Sequence, residues 1–191
     1  DDSLALARDE YPRQGTTLET LAQLKPVFSN FMDYPMDDNH TFGEVARMTW
    51  PDLEINHVHH AGNSSGIVDA AAAVVLASPE YARANKLTPR ARILSSASVA
   101  GSPEYNLNEP VPSAQKALAG AGLTVDDIDL FEVNEAFAVV PLRFMKLMGV
   151  DHDKLNVNGG AIALGHPIGA TGAILLGTLL DELERRELKR G

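Results

Sequence analysis

The sequence predicts an α/β fold, in which helices and strands alternate along the chain. From residue 67 onwards, the predicted elements follow one another in the order helix, strand, helix, strand, helix. This alternation is typical of α/β architecture. Two polar residues, Asn134 and Glu135, follow directly on a short apolar strand and precede a helix. The carboxyl ends of the strands are where α/β folds usually place their active sites.

The first third of the chain is polar and rich in loop-forming residues. Thr16 or Thr17 is suited to cap a short helix that runs to about Leu24, where a nearby proline ends it. Residues 29–59 contain several prolines, aspartates and glycines, which predicts a long loop or excursion. One short helix is expected inside this excursion, near residues 43–48.

The middle of the chain predicts one buried helix and one strand. Ile67 to Ala77 is a run of small apolar residues, for which we expect a mostly buried helix. Gly66 at the mouth of this helix would leave backbone N–H groups open to a ligand. Arg90 to Val99 alternates in the manner of a strand.

Two further helices and a strand are predicted next. A helix over residues 113–122 ends at Gly122, a residue type typical of helix C-caps. Asp129 to Val133 predicts a short buried strand. The helix that begins at Glu135 contains Pro141, which either kinks this helix or fixes its first turn.

The stretch from Asn156 to Leu180 is the most distinctive part of the sequence. A glycine-rich turn leads to His166 and Pro167, and an apolar run follows in which Thr171 and Thr178 are the polar side chains. Pro167 suits the entry to a helix, and a helix that is apolar all round is normally buried. The stretch therefore predicts a histidine at the mouth of a buried helix, which suits acid–base catalysis.

Other interpretations stay open at this point. Glycine-rich turns usually serve only as turns, and a lone histidine is more often a core or surface group than a catalyst. A nucleotide-binding loop is poorly supported, because the stretch lacks both G-x-G-x-x-G and G-K-[S/T]. His57, His59 and His60 form a cluster, but no Asp, Glu or Cys at ligand spacing lies beside it, and we expect no metal site.

Composition excludes several classes of function. The 191 residues are 45% hydrophobic, which allows a proper core, and the net charge of −10 argues against nucleic acid as the main partner. No window resembles a membrane span, and the N-terminal DDSLALARDE does not resemble a signal peptide. We therefore expect the protein to be located in a bacterial cytoplasm or in an organelle matrix. The chain has no cysteine, which excludes disulfides and a thiol nucleophile of its own.

Three blocks together resemble the thiolase family. They are HAGNSSGIVDAAAAVVLAS, DIDLFEVNEAFA and NVNGGAIALGHPIGATG, and the segments DEYPRQGTTLETLAQLKPVF and PVPSAQKALAGAGL resemble the same family. The resemblance covers most of the chain, and the motifs N-E-A-F-A and G-G-A-I-A-L-G-H-P are specific as a pair. It implies a thiolase-like fold, in which two similar βαβαββ halves stack as five layers (αβαβα), with an inserted loop domain that binds coenzyme A (CoA).

The resemblance also implies an organisation and an activity. Residues 1–66 would be the C-terminal part of the CoA-binding loop domain, residues 67–88 the helix that returns to the N-terminal half, and residues 89–191 the C-terminal half without its last strands. The implied activity is that of an acyl-CoA C-acyltransferase in fatty acid and lipid metabolism. It would cleave a 3-ketoacyl-CoA with a second CoA, or run the reverse Claisen condensation, with CoA as substrate and no other cofactor.

The catalytic roles come from the same resemblance. His166 would activate the nucleophilic cysteine and donate to a substrate thioester oxygen. Asn134 would fix a water that donates to the same oxygen, and such donors commonly contribute a few kcal/mol each in a dry site. Glu135 would orient this arrangement, while Gly159 and Gly160 would let the backbone pack closely around it.

The resemblance assigns five residues to CoA and substrate binding: Arg13, Ser65, Gly66, Phe137 and Gly165. Arg13 matches an arginine near the CoA nucleotide, and Ser65 and Gly66 match contacts to the pantetheine arm. Phe137 would form an apolar wall beside that arm, and Gly165 would permit close backbone packing.

The sequence departs from the family pattern chiefly in its lack of both family cysteines. Three explanations are compatible with this: a piece of a longer protein, one polypeptide of a split enzyme that an N-terminal thiolase half completes, or a non-catalytic relative. The alternative function is accordingly a CoA-binding or structural subunit. The resemblance further implies a homo-oligomer, either dimer or tetramer.

Smaller departures concern three segments. His60 replaces the threonine usual before A-G-N. Asn106 and Leu107 stand where the family usually has Met-Gly, in a segment that lines the acyl pocket. The excursion over residues 29–59 is longer than the family's link, so the CoA-side surface could be reshaped or used for a partner.

Overall fold

The computed structural model describes residues 7–101 and 107–191. In these ranges the α-helices, numbered in chain order, are α1 (Leu18–Leu21), α2 (Phe42–Thr49), α3 (Pro79–Ala84), α4 (Pro110–Ala121), α5 (Val139–Met148), α6 (Ala161–Leu164) and α7 (Ile168–Arg185). Short 3₁₀ helices span Phe31–Asp33, Val125–Asp127 and His152–Lys154. None of the described helices combines the length and apolarity that a membrane crossing needs.

The predicted helix ends are set by local capping. Thr17 caps α1, as expected, although this helix ends at Leu21 and so is shorter than predicted. Thr41 and Glu44 form a reciprocal capping box at the start of α2, which confirms the short helix inside the excursion. Gly122 ends α4 with φ +67°, a left-handed conformation that glycine adopts without a Cβ clash.

Strand pairing in the described ranges is limited to isolated bridges. They join Pro35 to Thr41 and Ser64 to Phe137 in antiparallel fashion, and Phe131 to Leu155 in parallel fashion. The strand predicted at 129–133 is therefore observed as a single bridge, and the one predicted at 90–99 has no regular secondary structure. A strand becomes regular through its ladder partners, and the described segments do not supply them to these two stretches.

The prediction of a helix over residues 67–77 is wrong. This stretch is not helical, and the helix of this region, α3, begins only at Pro79. Ile67 is fully exposed and Val75 is 90% exposed, so the stretch is not buried either. A continuous apolar run fits a buried helix and a buried strand equally well, and periodicity cannot separate the two.

The helix predicted from the apolar C-terminal run is confirmed as α7, but its complete burial is not. Ala170, Thr171 and Glu182 are buried, whereas Ile168 is 83% and Leu176 51% exposed. The first part of α7 is apolar on all of its faces, but the described elements cover only one of these faces, and the other faces remain exposed.

The core lies between α4, α5 and the two segments joined by the parallel bridge. Its buried members are Val111, Val133, Val140, Phe144, Met148, Val150 and Leu155. Phe144 packs against Phe131 with ring centroids 5.7 Å apart. Pro141 lies in the first turn of α5, one of the two positions expected for it. This core holds the segment that ends at Asn134 in a fixed place.

Residues 90–99 lie between α4 and α7. Arg90 forms ion pairs with Asp181 and Glu184 of α7, at 2.6 and 2.5 Å. Farther along, the Ser113 hydroxyl on α4 donates to the carbonyl of Ala97 at 3.1 Å. The segment thus connects the two helices on either side of it.

Candidate active site

Two of the motif segments pair through their backbones. The N–H of Ser65 donates to the carbonyl of Ala136 at 3.0 Å, and the N–H of Ala138 donates to the carbonyl of Asn63 at 2.9 Å. These bonds flank the antiparallel bridge between Ser64 and Phe137. The A-G-N-S-S-G turn is therefore fastened along the N-E-A-F-A motif, which local sequence patterns did not predict.

The G-H-P motif joins the same assembly. The N–H of His166 donates to the carbonyl of Gly66 at 2.8 Å. Gly165 has φ +93°, and a Cβ there would come within 2.6 Å of a Val68 methyl group. Glycine is thus required at residue 165 both by the left-handed backbone and by the close crossing of the two segments. Gly66 contributes its carbonyl, not the open helix mouth that we predicted.

The imidazole of His166 is held from both sides. Its Nε2 lies 3.3 Å from the Nδ2 of Asn134, and its Nδ1 lies 2.7 Å from the Oγ1 of Thr171. The Thr171 hydroxyl donates in turn to the carbonyl of Pro167 at 3.0 Å. The structure thus brings together two of the three side chains that the sequence singled out for catalysis, although Asn134 and His166 are 32 residues apart.

Asn134 has an unusual environment. Its Oδ1 is buried and has no hydrogen-bond partner among the described residues. A buried amide oxygen without a partner is costly, so in most proteins such an atom binds a water or a ligand. The Nδ2 group of Asn134 faces His166, while its Oδ1 remains available to accept a hydrogen bond.

A cavity of about 560 Å³ adjoins Asn134. Apolar side chains form most of its wall, including Val140 and Phe144 of α5, and Glu109 and Glu132 add carboxyl groups. Leu107 lines it as well, whereas Asn106, predicted to lie beside the acyl group, is outside the described residues. The cavity could accept an apolar group next to the candidate catalytic pair.

Glu135 faces away from this pair, towards the glycine-rich turn. Its Oε1 accepts from Asn156 Nδ2 at 2.9 Å, and its Oε2 accepts from the N–H of Ile162 at 3.1 Å. A Cβ on Gly160 would approach both carboxylate oxygens to 2.6 Å. Glu135 therefore holds the turn that precedes His166. Gly159, with φ +80°, supplies a left-handed conformation in the same turn.

Burial and charge set the titration of two nearby carboxyl groups. Burial, reinforced by the negative charges of Glu135 and Glu182, raises the pKa of Glu132 to about 7. Hydrogen bonds from Arg185, and then from Asn158 and Arg186, lower the pKa of Glu182 to about 2. The Glu132 carboxyl group that lines the cavity is thus only partly ionised near neutral pH, whereas Glu182 stays charged inside its ion pairs.

The predicted CoA contacts form a line that leads from the surface to the site. Arg13 is exposed, and its guanidinium lies 6.0 Å from the centre of the Tyr11 ring. The Tyr11 hydroxyl packs directly on Gly66, where it occupies the space of a side chain. Arg13, Gly66 and His166 are therefore connected through contacts, with Tyr11 as a link that the sequence analysis missed.

Phe137 belongs to an aromatic cluster. Its ring centroid lies 5.9 Å from that of Phe28 and 4.7 Å from that of His59. Phe137 thus packs in a cluster of rings, and its role beside the pantetheine arm stays a prediction. Within residues 7–101 and 107–191, no group of three or more His, Cys, Asp or Glu side chains could hold a metal ion.

His60 has a structural place. Its Nδ1 accepts from the N–H of Gly62 at 3.1 Å, and its own N–H donates to Oδ1 of Asn63 at 2.8 Å. A threonine hydroxyl makes the same kind of bond to the N–H two residues on. The ring can therefore replace the expected threonine as the acceptor in this turn.

Two important residues of the site were not among the predicted ones. Thr171 is one of two polar side chains in an apolar run of the sequence, and this isolation is the signal that could have identified it as a site residue. Asn156 opens the glycine-rich turn and is buried, with φ +48°. Asparagine tolerates this left-handed region better than most residues, but its hydrogen bonds depend on tertiary contacts.

Comparison with known proteins agrees with this assembly of motifs. Residues 87–191, more than half of the chain, match the family model described as thiolase, C-terminal domain. The acetyl-CoA acetyltransferase of Cupriavidus necator is 42% identical over 190 residues, which are 100% of this chain and 42% of that protein. The β-ketoadipyl-CoA thiolase of Pseudomonas aeruginosa is 43% identical over 185 residues, covering 96% of this chain and 40% of that protein.

The fold is similar to that of a solved structure as well. Human mitochondrial 3-ketoacyl-CoA thiolase in complex with CoA superposes with a TM-score of 0.73 at 34% identity, over 95% of this chain and 40% of that one. The fold is therefore thiolase-like. The chain spans about two fifths of the length of the relatives that it matches.

Proposed function

The chain belongs to the thiolase family, and on that premise we propose that it takes part in acyl-CoA C-acyl transfer. The proposed reaction is thiolytic cleavage of a 3-ketoacyl-CoA, or the reverse Claisen condensation, with CoA as substrate and no further cofactor. The observation that carries the proposal is the contact between Asn134 and His166 at the junction of three motif segments. A purely structural subunit has no need to align an imidazole with an amide whose oxygen is buried and unpaired.

The proposed chemistry needs a thiolate, and this chain has no cysteine. A cysteine from outside the 191 residues would give its proton to His166 Nε2 and attack the β-keto carbon. The bond between the α and β carbons then breaks, its electron pair stays on the α carbon, and a proton from an acid outside the 191 residues releases acetyl-CoA. The acyl group is left as a thioester on the cysteine. A second CoA thiol gives its proton back to that acid and attacks the thioester, and His166 returns its proton to the departing cysteine thiolate.

Asn134 is proposed to stabilise the oxyanion of this reaction. Its unpaired Oδ1 is suited to accept from a water, whose other hydrogen can be donated to the thioester oxygen. His166 then provides the second donor once it carries the proton. Donors that are fixed before the reaction stabilise developing charge more than the ground state, which is the source of their catalytic effect.

CoA is proposed to approach along the line from Arg13 to Gly66. Arg13 is exposed and free to meet a nucleotide phosphate, while Phe137 presents an aromatic wall beside the inner end of this line. The wall and the backbone of Ser65 and Gly66 suit the apolar and amide parts of a pantetheine arm. The cavity lined by Leu107 is proposed to accept the acyl group.

The proposed source of the cysteine is a polypeptide that covers the exposed apolar surface of this chain. Ile67, Val75 and Ile168 are 101%, 90% and 83% exposed, and they flank the two motif segments that meet at His166. Apolar surface of this kind is typical of protein interfaces. We propose that an N-terminal thiolase half packs there, within a homo-oligomer. Residues 1–66 are proposed to belong to the CoA-binding loop domain and residues 89–191 to the C-terminal half, with residues 67–88, which include α3, as the segment between them.

The test compares His166→Ala and Asn134→Ala in the protein as isolated with its associated chains. We expect thiolysis turnover to fall by about 10²- to 10³-fold in each variant, because each loses a proton carrier or an oxyanion donor. CoA binding, measured by calorimetry, should change by less than about threefold. His152→Ala, an exposed histidine outside the site, is the matched control and should leave both quantities unchanged.

Two outcomes would contradict the proposal. Near-normal turnover in both variants would exclude the assigned roles of the two side chains. A preparation that binds CoA but shows no thiolysis, and whose intact mass reveals no chain with a reactive cysteine, would favour the non-catalytic subunit instead.

A further inference from the structure

The Thr171 hydroxyl lies within hydrogen-bond distance of two partners, the carbonyl of Pro167 and Nδ1 of His166. A threonine hydroxyl has one hydrogen to donate, and in Thr171 this hydrogen goes to the Pro167 carbonyl at 3.0 Å. The carbonyl can only accept, so the direction of this bond is unambiguous. Thr171 is itself buried, with 7% of its surface exposed, which leaves the hydroxyl little access to solvent partners.

The consequence falls on His166, whose Nδ1 lies 2.7 Å from the same hydroxyl oxygen. With the Thr171 hydrogen in its bond to Pro167, Oγ1 accepts from Nδ1, which then carries the hydrogen of the neutral ring. In the neutral imidazole, Nε2 then has the free lone pair. The amide Nδ2 of Asn134, a donor, lies 3.3 Å from that lone pair, which agrees with this assignment.

We infer that Thr171 is a positioning residue that holds His166 in the Nδ1–H tautomer, with Nε2 as the proton acceptor that faces the site. Thr171 contacts no substrate in this scheme and acts only through the imidazole. The inference rests on the proposed function for its catalytic consequence, but the tautomer itself does not depend on any activity.

Helix geometry explains why Thr171 can do this. Thr171 lies in the first turn of α7, four residues after Pro167 and five after His166. A threonine hydroxyl commonly bonds the carbonyl four residues before it, and in this first turn the same Oγ1 also comes within hydrogen-bond distance of Nδ1. The Pro167 carbonyl is held in place because it also accepts from the backbone N–H groups of Ala170 and Thr171, at 2.7 and 3.0 Å.

The direct test is the tautomer of His166, measured by ¹⁵N NMR of histidine-labelled protein at a pH where the ring is neutral, with His166→Gln used to assign the signal. We expect the Nδ1–H form in the unmodified protein and in Thr171→Ser. In Thr171→Val, which keeps the shape but cannot accept, the ratio of the two tautomers should shift by about 3- to 10-fold towards Nε2–H. Thr178→Val, farther along the same helix, is the control and should change nothing.

The Nε2–H form in the unmodified protein would overturn the inference, even if the valine variant failed to fold. An unchanged tautomer in a folded Thr171→Val protein would overturn it as well. The kinetic arm applies to the active preparation: Thr171→Val should lower kcat about 3- to 10-fold with little change in KM, and Thr171→Ser should restore it. If thiolysis is absent altogether, the proposed function fails while the NMR result still decides the role of Thr171.

Discussion

Replacement of Asn156 by alanine tests how the site is fastened to the fold. The buried Asn156 side chain accepts from the N–H of Val133 at 2.8 Å and donates to the Val133 carbonyl at 2.8 Å and to Glu135 at 2.9 Å. It thereby joins the glycine-rich turn to the segment that presents Asn134. Alanine would remove all of these bonds at once.

The magnitude follows from what alanine leaves behind. Val133 is buried, so its N–H and carbonyl lose partners that solvent does not readily replace, at about 1–3 kcal/mol for each unpaired group. Partial entry of water offsets some of this. We therefore expect the free energy of unfolding to fall by about 3 kcal/mol, a large fraction of the total for a domain of this size.

The assay is urea denaturation followed by circular dichroism, with Asn158→Ala as the matched control. Asn158 lies two residues away, is exposed, and donates a side-chain hydrogen bond to Glu182 at 3.2 Å. The control should lose less than about 1 kcal/mol. A loss below about 1 kcal/mol for Asn156→Ala, or equal losses in the two variants, would refute the view that Asn156 fastens the two segments.

Two further predictions concern the carboxylates. Gly160→Ala would place the new Cβ 2.6 Å from the Glu135 oxygens. We expect this variant to lose about 1–3 kcal/mol of unfolding free energy in the same assay, because the carboxylate can move only by giving up its hydrogen bonds. In the control Gly177→Ala, where nothing lies near the new Cβ, stability should be unchanged or higher by up to about 1 kcal/mol. Glu132 has its pKa raised to about 7 by burial, so the native state binds more protons than the unfolded one between about pH 4.5 and 7, and stability should fall as pH rises through that window. Glu132→Gln should abolish this slope and, after allowance for solvent screening of a half-buried group, add about 1 kcal/mol at pH 8; equal pH dependence of the melting temperature with and without Glu132 would contradict this.

Much of the helical structure could be predicted from local sequence. Thr17, Thr41 and Gly122 are capping residues, and each of them marks a helix end in the structure. Caps are satisfied by bonds within one turn, so they need no information from distant parts of the chain. The same holds for Pro141, whose fixed φ suits the first turn of α5.

The strands and the burial of apolar runs could not be predicted in this way. Residues 67–77 were predicted to be a buried helix and are an exposed, non-helical stretch. An apolar run indicates that its side chains need to be covered, but it does not specify the conformation of the run or the partner that covers it. Residues 90–99 and 129–133 have strand-like composition, but strand formation depends on neighbours that the local sequence does not specify.

The sequence by itself determined the family and the two principal side chains of the site. His166 and Asn134 stand in motifs whose residue types are specific enough to be recognised one by one. Only the tertiary structure decided how these side chains are arranged: Asn134 and His166 lie 3.3 Å apart, Thr171 lies 2.7 Å from the imidazole, and Glu135 and Asn156 hold the turn behind them. The physical reason is that a motif fixes chemistry along the chain, whereas the direction of a hydrogen bond depends on atoms that folding brings together from distant positions.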